Sequence, residues 1–316
     1  MACIDTRLFD DFFRDNNNLQ ESFMDFLEYV YTRDSSMVEK NKDGKIVAVC
    51  AEIDIEAKID CDVACDGLVF KEKVEFDKCE FKGKISFKKC IFEKDVYLKN
   101  CKFCKKEKRN FYKKQIAVFS NNLFKKYIFF DNSTFNNNVD FRESNFMDIT
   151  SFYGVKFQKV PNFSACYFKE PKAVNLVNID INSLNFKQVE CYIKDNFKDE
   201  WCKQEITKNR NKEKEIEQKY KLKSAKTIKD SFRVIKDILI GQNNTLEAQE
   251  WHKLELYAQE KELEMSLENS EYDGVVQNYA TWVDYTLLKL YKHTSEHHTN
   301  LLKILNFTIG MIAIYT

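Results

Sequence analysis

The stretch Val74-Glu75-Phe76-Asp77-Lys78-Cys79-Glu80-Phe81 returns in pattern as Val139-Asp140-Phe141-Arg142-Glu143-Ser144-Asn145-Phe146. Each holds a β-branched residue, a phenylalanine two positions on, a small residue three further on, and a second phenylalanine two beyond that. Working outward, the large apolar column runs Phe70, Phe76, Phe81, Phe87, Phe92, Leu98 and Phe103. It resumes from Phe119 through Phe124, Phe130, Phe135, Phe141, Phe146, Phe152, Phe157, Phe163, Phe168, Val174 and Ile179. Steps of six and five alternate, so the period is eleven. A fixed period means stacked structural units, and it decides the fold before any single element is assigned. Two residues ahead of alternate rings stand Cys79, Cys90, Cys101, Ser133, Ser144, Val155 and Cys166, while Val74, Ile85, Val96, Ile128, Val139 and Thr150 precede the others. Strand side chains alternate faces, so both positions point inward and the intervening Lys, Asp, Glu and Asn point out.

A central Phe or Leu with a small residue two positions earlier resembles the pentapeptide-repeat family, in a Phe-rich variant matched over residues 66–186. The resemblance implies a right-handed quadrilateral β-solenoid with four short faces per coil, so the fold class expected is α+β. With alternating steps of five and six, one coil takes about 22 residues, near 4.8 Å of rise each. A rod of this kind needs capped ends.

Those ends are legible on either side. Residues 7–33 carry Leu8, Phe12, Leu19, Phe23, Phe26, Leu27 and Val30 at helical spacing, which predicts one amphipathic helix or two. Ile53, Ile55, Ala57, Ile59, Cys61 and Val63 then alternate with charged residues and predict a half-buried strand that seeds the first coil. Beyond residue 187 the phenylalanines stop. Ile228, Phe232, Ile235 and Leu239 form a helical stripe, Gly241 to Asn243 break it, and Asn244 with Glu247 opens a second helix to about Leu267. A third helix is expected from about Asn278. Four segments result: a cap over 1–65, the solenoid over 66–186, a helical region over 187–300, and an apolar end over 301–316. The words Ser231-Phe232-Arg233-Val234-Ile235-Lys236-Asp237, His252-Lys253-Leu254-Glu255-Leu256-Tyr257-Ala258 and His293-Thr294-Ser295-Glu296-His297-His298-Thr299 are similar to the helical region of membrane-anchored bacterial pentapeptide-repeat proteins, in which transmembrane helices follow. Ile304 to Tyr315, shorter than the roughly 20 residues a spanning helix takes, reads as a membrane segment cut short.

Composition narrows the function classes. The 316 residues hold only seven Gly, none closer than Gly67 and Gly83, which excludes every Gly-rich phosphate-binding loop. Eleven cysteines without a basic start and apolar run at the N-terminus point to a reducing, cytoplasmic compartment. Lys+Arg and Asp+Glu balance at 50 each, but unevenly: 23 against 14 over residues 66–186, and 7 against 15 over 1–65. The best-known activity of the family resembled is DNA mimicry at gyrase by an acidic rod, and a basic solenoid opposes that reading. The phenylalanine column breaks after Phe103, where Lys105, Lys106, Lys108, Arg109, Lys113 and Lys114 surround Glu107 beside Phe111 and Tyr112. These six basic residues are the candidate contact for phosphates or anionic lipid headgroups, against a plain solvated loop.

Chemistry has thinner support. Cys101-x-x-Cys104 and Cys61-x-x-x-Cys65 could hold zinc, but Cys79, Cys90, Cys101 and Cys166 occupy the small inward position, where a thiol packs as a compact hydrophobe. His293 and His297, with His298 alongside, are the metal candidates by helical spacing, against an interfacial role for polar residues ahead of a membrane segment. No Gly-x-Ser-x-Gly is present and no histidine lies in the repeat, so covalent catalysis is not expected. The reading is a non-catalytic scaffold for protein–protein interaction, without cofactor, at the cytoplasmic face of a bacterial inner membrane or in the cytoplasm where the tail does not insert. Its expected contacts are a protein partner and a membrane through residues 301–316, with self-association into a homo-oligomer left open and nucleic acid disfavoured. The alternative is a soluble topoisomerase- or nucleic-acid-binding protein.

Overall fold

The computed structural model describes residues 2–15, 22–103, 117–268, 275–295 and 301–315. The chain divides into two compact units, Met1–Leu184 and Asn185–Thr316.

The first unit is a parallel β-solenoid with four faces. The first face stacks Cys3–Asp5, Glu52–Ile55, Val74–Asp77, Val96–Lys99, Ile128–Phe129, Thr150–Ser151 and Val174–Asn175. The second stacks Lys58–Ile59, Glu80–Phe81, Lys102–Phe103, Thr134–Phe135 and Lys156–Phe157; the third Val63–Ala64, Ile85–Ser86, Ala117–Val118, Val139–Asp140 and Pro161–Asn162. The fourth face stacks Val69–Phe70, Ile91–Phe92, Leu123–Phe124, Asn145–Phe146 and Tyr167–Phe168 below Ile46–Val49, which pairs antiparallel with Val38–Lys40. Through the repeat, partners one coil apart are 22 residues apart, as in Val74↔Val96 and Phe81↔Phe103, while the step is 21 at Ile53↔Val74 and 24 at Thr150↔Val174. Across the break the register steps by 32, Phe103↔Phe135 and Ile85↔Ala117, ten more than elsewhere in the repeat, and the stacking resumes on the same faces.

Alternation over Ile53 to Val63 makes not one strand but about half a coil, from the first face across the second to the third. Ile53, Ile55, Ile59 and Val63 are buried on three successive faces. A chain that turns a corner between two inward positions keeps the same alternation as a straight strand, so period two alone does not distinguish them.

The alternating steps have a geometric cause at the corners. Residues 67, 78, 89, 100, 121, 132, 143, 154 and 165 all have positive φ and all fall in the five-residue steps. There the chain closes a tight turn, with Ser133 N–H donating to Phe130 O (3.1 Å) and Ser144 N–H to Phe141 O (3.2 Å). Positive φ at the third position of such a turn is the type II pattern, which favours Gly and Asn. At the Gly154 corner a Cβ would also lie 2.5 Å from Asn132 Oδ1.

Inside, the rings form columns. Vertical neighbours such as Phe70–Phe92, Phe103–Phe135, Phe141–Phe163 and Phe146–Phe168 stack with centroids 4.8, 4.5, 4.9 and 4.6 Å apart, which is the strand spacing itself. Phe76, Phe81, Phe87, Phe92, Phe103, Phe135, Phe141, Phe146, Phe152, Phe157, Phe163 and Phe168 are all buried.

The small inward position does more than fill space, which corrects the reading of its cysteines as simple hydrophobes. Sγ of Cys79, Cys90, Cys101 and Cys166 donates to the backbone oxygens of Ile55, Cys65, Phe76 and Phe141 in the coil before. Ser133 Oγ donates to Leu98 O (2.7 Å) and accepts from Cys101 N–H (2.9 Å). Asn122 does likewise, with Nδ2 on Phe87 O and Oδ1 taking Cys90 N–H. These side chains satisfy the backbone groups that turn inward at tight corners, where no strand reaches them. Replacing Ser133 by Ala orphans a buried N–H and a buried carbonyl, so we expect a loss of about 2 kcal/mol or more, whereas Ser133→Cys loses less than about 1 kcal/mol. Urea unfolding midpoints of the two variants check this; equal losses would remove the hydrogen-bonding role.

The N-terminal end of the solenoid is closed by two helices, as the spacing predicts. In α2 (Phe23–Arg33), Ser22 caps the start by accepting from Asp25 N–H while Asp25 takes Ser22 N–H in return. Its buried face is Phe23, Phe26, Leu27 and Val30, with Phe23 6.3 Å from Phe76 of the first full coil. Phe9 and Phe12 of α1 (Thr6–Asp15) pack on Phe26 from the far side.

The second unit is helical: α3 (Phe186–Asn196), α4 (Glu200–Lys208), α5 (Glu213–Gly241), α6 (Thr245–Glu268), α7 (Val275–Ser295) and α8 (Leu301–Tyr315). The predicted hairpin is α5 and α6, with Ile228, Phe232, Ile235 and Leu239 buried and Phe232 beside Trp251. At α3, Phe186 lies under two ammonium groups. Lys292 of α7 sits 3.2 Å above the ring centroid and Lys261 of α6 5.1 Å. Lys292 pairs with the buried Glu260 (2.9 Å) and Lys261 with Glu190 and Glu264 (2.9 and 2.6 Å). Burial works against the Lys261 charge, yet the hydrogen bonds to Glu264 and Glu190 outweigh it and hold its pKa above the ordinary value.

The transmembrane helix expected near the end is not found. Among the described residues no helix is long and apolar enough to cross a membrane. α8 has 15 residues, about 22 Å at 1.5 Å each, against about 30 Å of hydrocarbon.

Candidate interaction surfaces

Four faces built on one backbone differ in what they turn outward. The outward residues of the first face change along the rod. At the N-terminal end they are charged: Lys73 bridges Glu52 (2.6 Å) and Glu75 (3.0 Å), whose hydrogen bonds raise its pKa, and Lys78 meets Glu56 and Asp77. From the next coil they become aromatic. Tyr97 and Phe129 are register partners and stack with centroids 5.3 Å apart and ring planes 4° from parallel. Tyr127 meets Phe129 edge-on at 6.3 Å, and Ile149 and Tyr153 extend the surface on the following coil, each about 38% exposed with Tyr127 at 39%.

Polar groups pin this platform. Tyr97 OH donates to Asp95 (3.4 Å), which also accepts Tyr127 N–H (3.2 Å). Partial burial and the Asp95 charge both push the Tyr97 phenol pKa upward. Lys99 Nζ lies 4.4 Å from the Tyr97 centroid and 5.2 Å from that of Phe129, so the chain's own ammonium shows the quadrupole attraction these rings offer a cation. Asn178 Nδ2 donates to Tyr153 OH (3.3 Å). Rings held by strands, hydrogen bonds and a cation lose little freedom on binding, which is what an interaction hot spot needs.

The chain matches no protein-family model, no curated protein and no solved structure at the level of significance required.

The six basic candidates Lys105, Lys106, Lys108, Arg109, Lys113 and Lys114 lie outside the described residues, as do Cys104, His297 and His298. His293 is exposed on α7. Among the described residues no group of three or more His, Cys, Asp and Glu side chains is placed to hold a metal ion. Cys61 and Cys65 are separate free thiols, and burial drives the Cys61 pKa up to about 12. Sequence reasoning passed over the aromatic platform, although Tyr97 and Phe129 stand at outward positions of the period, where most other coils carry charged or polar residues.

The second unit has its own surface. On α8, Leu302, Leu305, Phe307, Ile309, Met311 and Ile312 are all exposed, Leu302 at 71%. At 100° per residue they cover about 220° of the helix circumference, and α8 has one ionisable cation, Lys303, and no acidic residue. A helix docking on a neighbouring protein shows a stripe nearer 100° wide.

Proposed function

We propose that this chain is a non-catalytic scaffold of the pentapeptide-repeat type that presents its solenoid to a protein partner at the cytoplasmic face of a bacterial inner membrane. The observation that carries this reading is α8, whose exposed apolar arc is wider than one protein face covers and suits the hydrocarbon edge of a bilayer. The Tyr97, Phe129, Tyr127 and Tyr153 platform supports the protein-binding half, since rigid aromatic anchors dominate interface energetics.

The test is flotation with liposomes, comparing the full chain with a full-length variant carrying Leu305→Glu and Ile309→Glu. A carboxylate in hydrocarbon costs about 2.5 kcal/mol or more, so the bound fraction falls at least about tenfold if α8 is the anchor. High salt leaves the wild-type chain afloat. Flotation lost in salt and unaffected by the substitutions makes the contact peripheral and electrostatic. No flotation in either case overturns the membrane reading, and a gel shift with gyrase protection then tests the soluble nucleic-acid and topoisomerase alternative.

A further inference from the structure

We propose that α7 lies flat in the headgroup layer of an anionic membrane, so that the second unit meets lipid along a whole helix and not through α8 alone. This rests on the membrane reading above. One side of α7 is fixed to the protein: Lys292 reaches Glu260 of α6 and Ser295 is buried. The other side is open. Tyr279, Trp282, Leu287, Lys289, Leu290 and His293 are exposed, Trp282 at 52%, and at 100° per residue they share an arc of about 160°.

The composition of that arc selects the occupant. It combines Trp and Tyr, whose rings have one apolar body and one polar tip, with two leucines and two side chains that carry or can take positive charge. Asp284, the one acidic residue of α7, falls outside it. Aromatic and aliphatic residues with cations and no acid are the signature of a helix lying in the membrane interface, where rings sit at headgroup level and cations meet anionic lipid. The Tyr279 and Trp282 rings already lie side by side, centroids 6.1 Å apart. A protein partner has to answer Lys289 and His293 with acids at matching positions, whereas an anionic membrane answers a cation anywhere on the arc. α8, the element on which the membrane reading rests, contacts α7 directly. About 32 Å of helix is available for the contact.

The experiment uses tryptophan fluorescence of the full chain bound to vesicles of phosphatidylcholine and phosphatidylglycerol, with bromine on the lipid chains either near the headgroup or near the bilayer centre. Trp251 is buried and Trp201 lies on α4, so Trp282→Phe isolates the α7 signal, and flotation of both proteins is followed in parallel. The expected result is quenching by shallow bromine that is mostly lost in Trp282→Phe, while both proteins float equally. Flotation with no Trp282-dependent quenching overturns the proposal and leaves the α8 anchor standing. Stronger quenching by deep bromine also overturns it, because α7 would then run through the apolar layer. Failure to float removes the anchor reading and this inference with it.

Discussion

Phe141→Ala is expected to cost about 3–5 kcal/mol and shift the urea midpoint of the solenoid accordingly, whereas Asn145→Ala, four residues on and facing out, stays within about 0.5 kcal/mol. Phe141 is fully buried and is the junction of the third face with its neighbours. It stacks on Phe119 at 5.5 Å and Phe163 at 4.9 Å, and meets Phe130, Phe135 and Phe152 edge-on at 5.2, 5.9 and 5.6 Å. Truncation removes a ring from the column, and the coils above and below cannot collapse into the gap, because ladder hydrogen bonds hold them at the strand spacing on all four faces. Phe141→Leu, which refills most of the volume, should lose less than about 1.5 kcal/mol. Denaturant unfolding followed by the β-sheet circular dichroism signal checks the series. A Phe141→Ala loss no larger than that of Asn145→Ala would mean that the rings do not carry the stability.

Lys292→Met is expected to cost about 3 kcal/mol in the helical unit, with α7 becoming the first segment cut by limited proteolysis. Glu260 is 4% exposed, and Lys292 supplies both its counter-charge and a cation over the Phe186 ring. Removing one partner of a buried pair leaves the other charge without solvent or salt bridge, and such losses run about 3–5 kcal/mol. The lower figure applies because the Lys292 side chain keeps 22% of its surface in water. Adding Glu260→Leu to Lys292→Met should restore most of the loss, since two apolar side chains carry no desolvation debt. A double variant no more stable than the single one would show that the pair stabilises beyond its own desolvation, contrary to this account. The pair also orients α7, so the single variant links packing to the exposed arc on the opposite side of the helix.

How much of this was legible beforehand differs between the two units. In the solenoid, Phe76 to Phe103 and Phe119 to Phe168 repeat so regularly that inward residues, the period of eleven and the break after Phe103 could be read directly, because every coil meets the same geometric demand. Two things there could not be read. Val74 to Phe76 and Ile53 to Val63 show the same alternation, yet one is a single strand and the other turns two corners, since corners preserve inward parity. The cysteine, serine and asparagine column reads as small, but its hydrogen-bonding duty depends on carbonyls some 25 residues earlier in the chain, as in Cys101 Sγ to Phe76 O. In the helical unit, the Ile228 to Leu239 stripe announced the hairpin, while Glu260, Lys261, Lys292 and Phe186 carried no periodic signal of being one cluster.

By itself, then, the order of residues determined the period of eleven, the ring columns and the helical ends, because each follows from local parity and spacing; the four-sided coil of about 22 residues was what the family resemblance implied. Only the tertiary structure decided that Tyr97 stacks on Phe129 with Lys99 above them, that Glu260 and Lys292 meet, and that α7 and α8 leave their apolar arcs open. The physical reason is distance along the chain. Tyr97 and Phe129 are 32 residues apart, as are Glu260 and Lys292, and a pairing across such a gap exists only once coils have stacked or helices have packed.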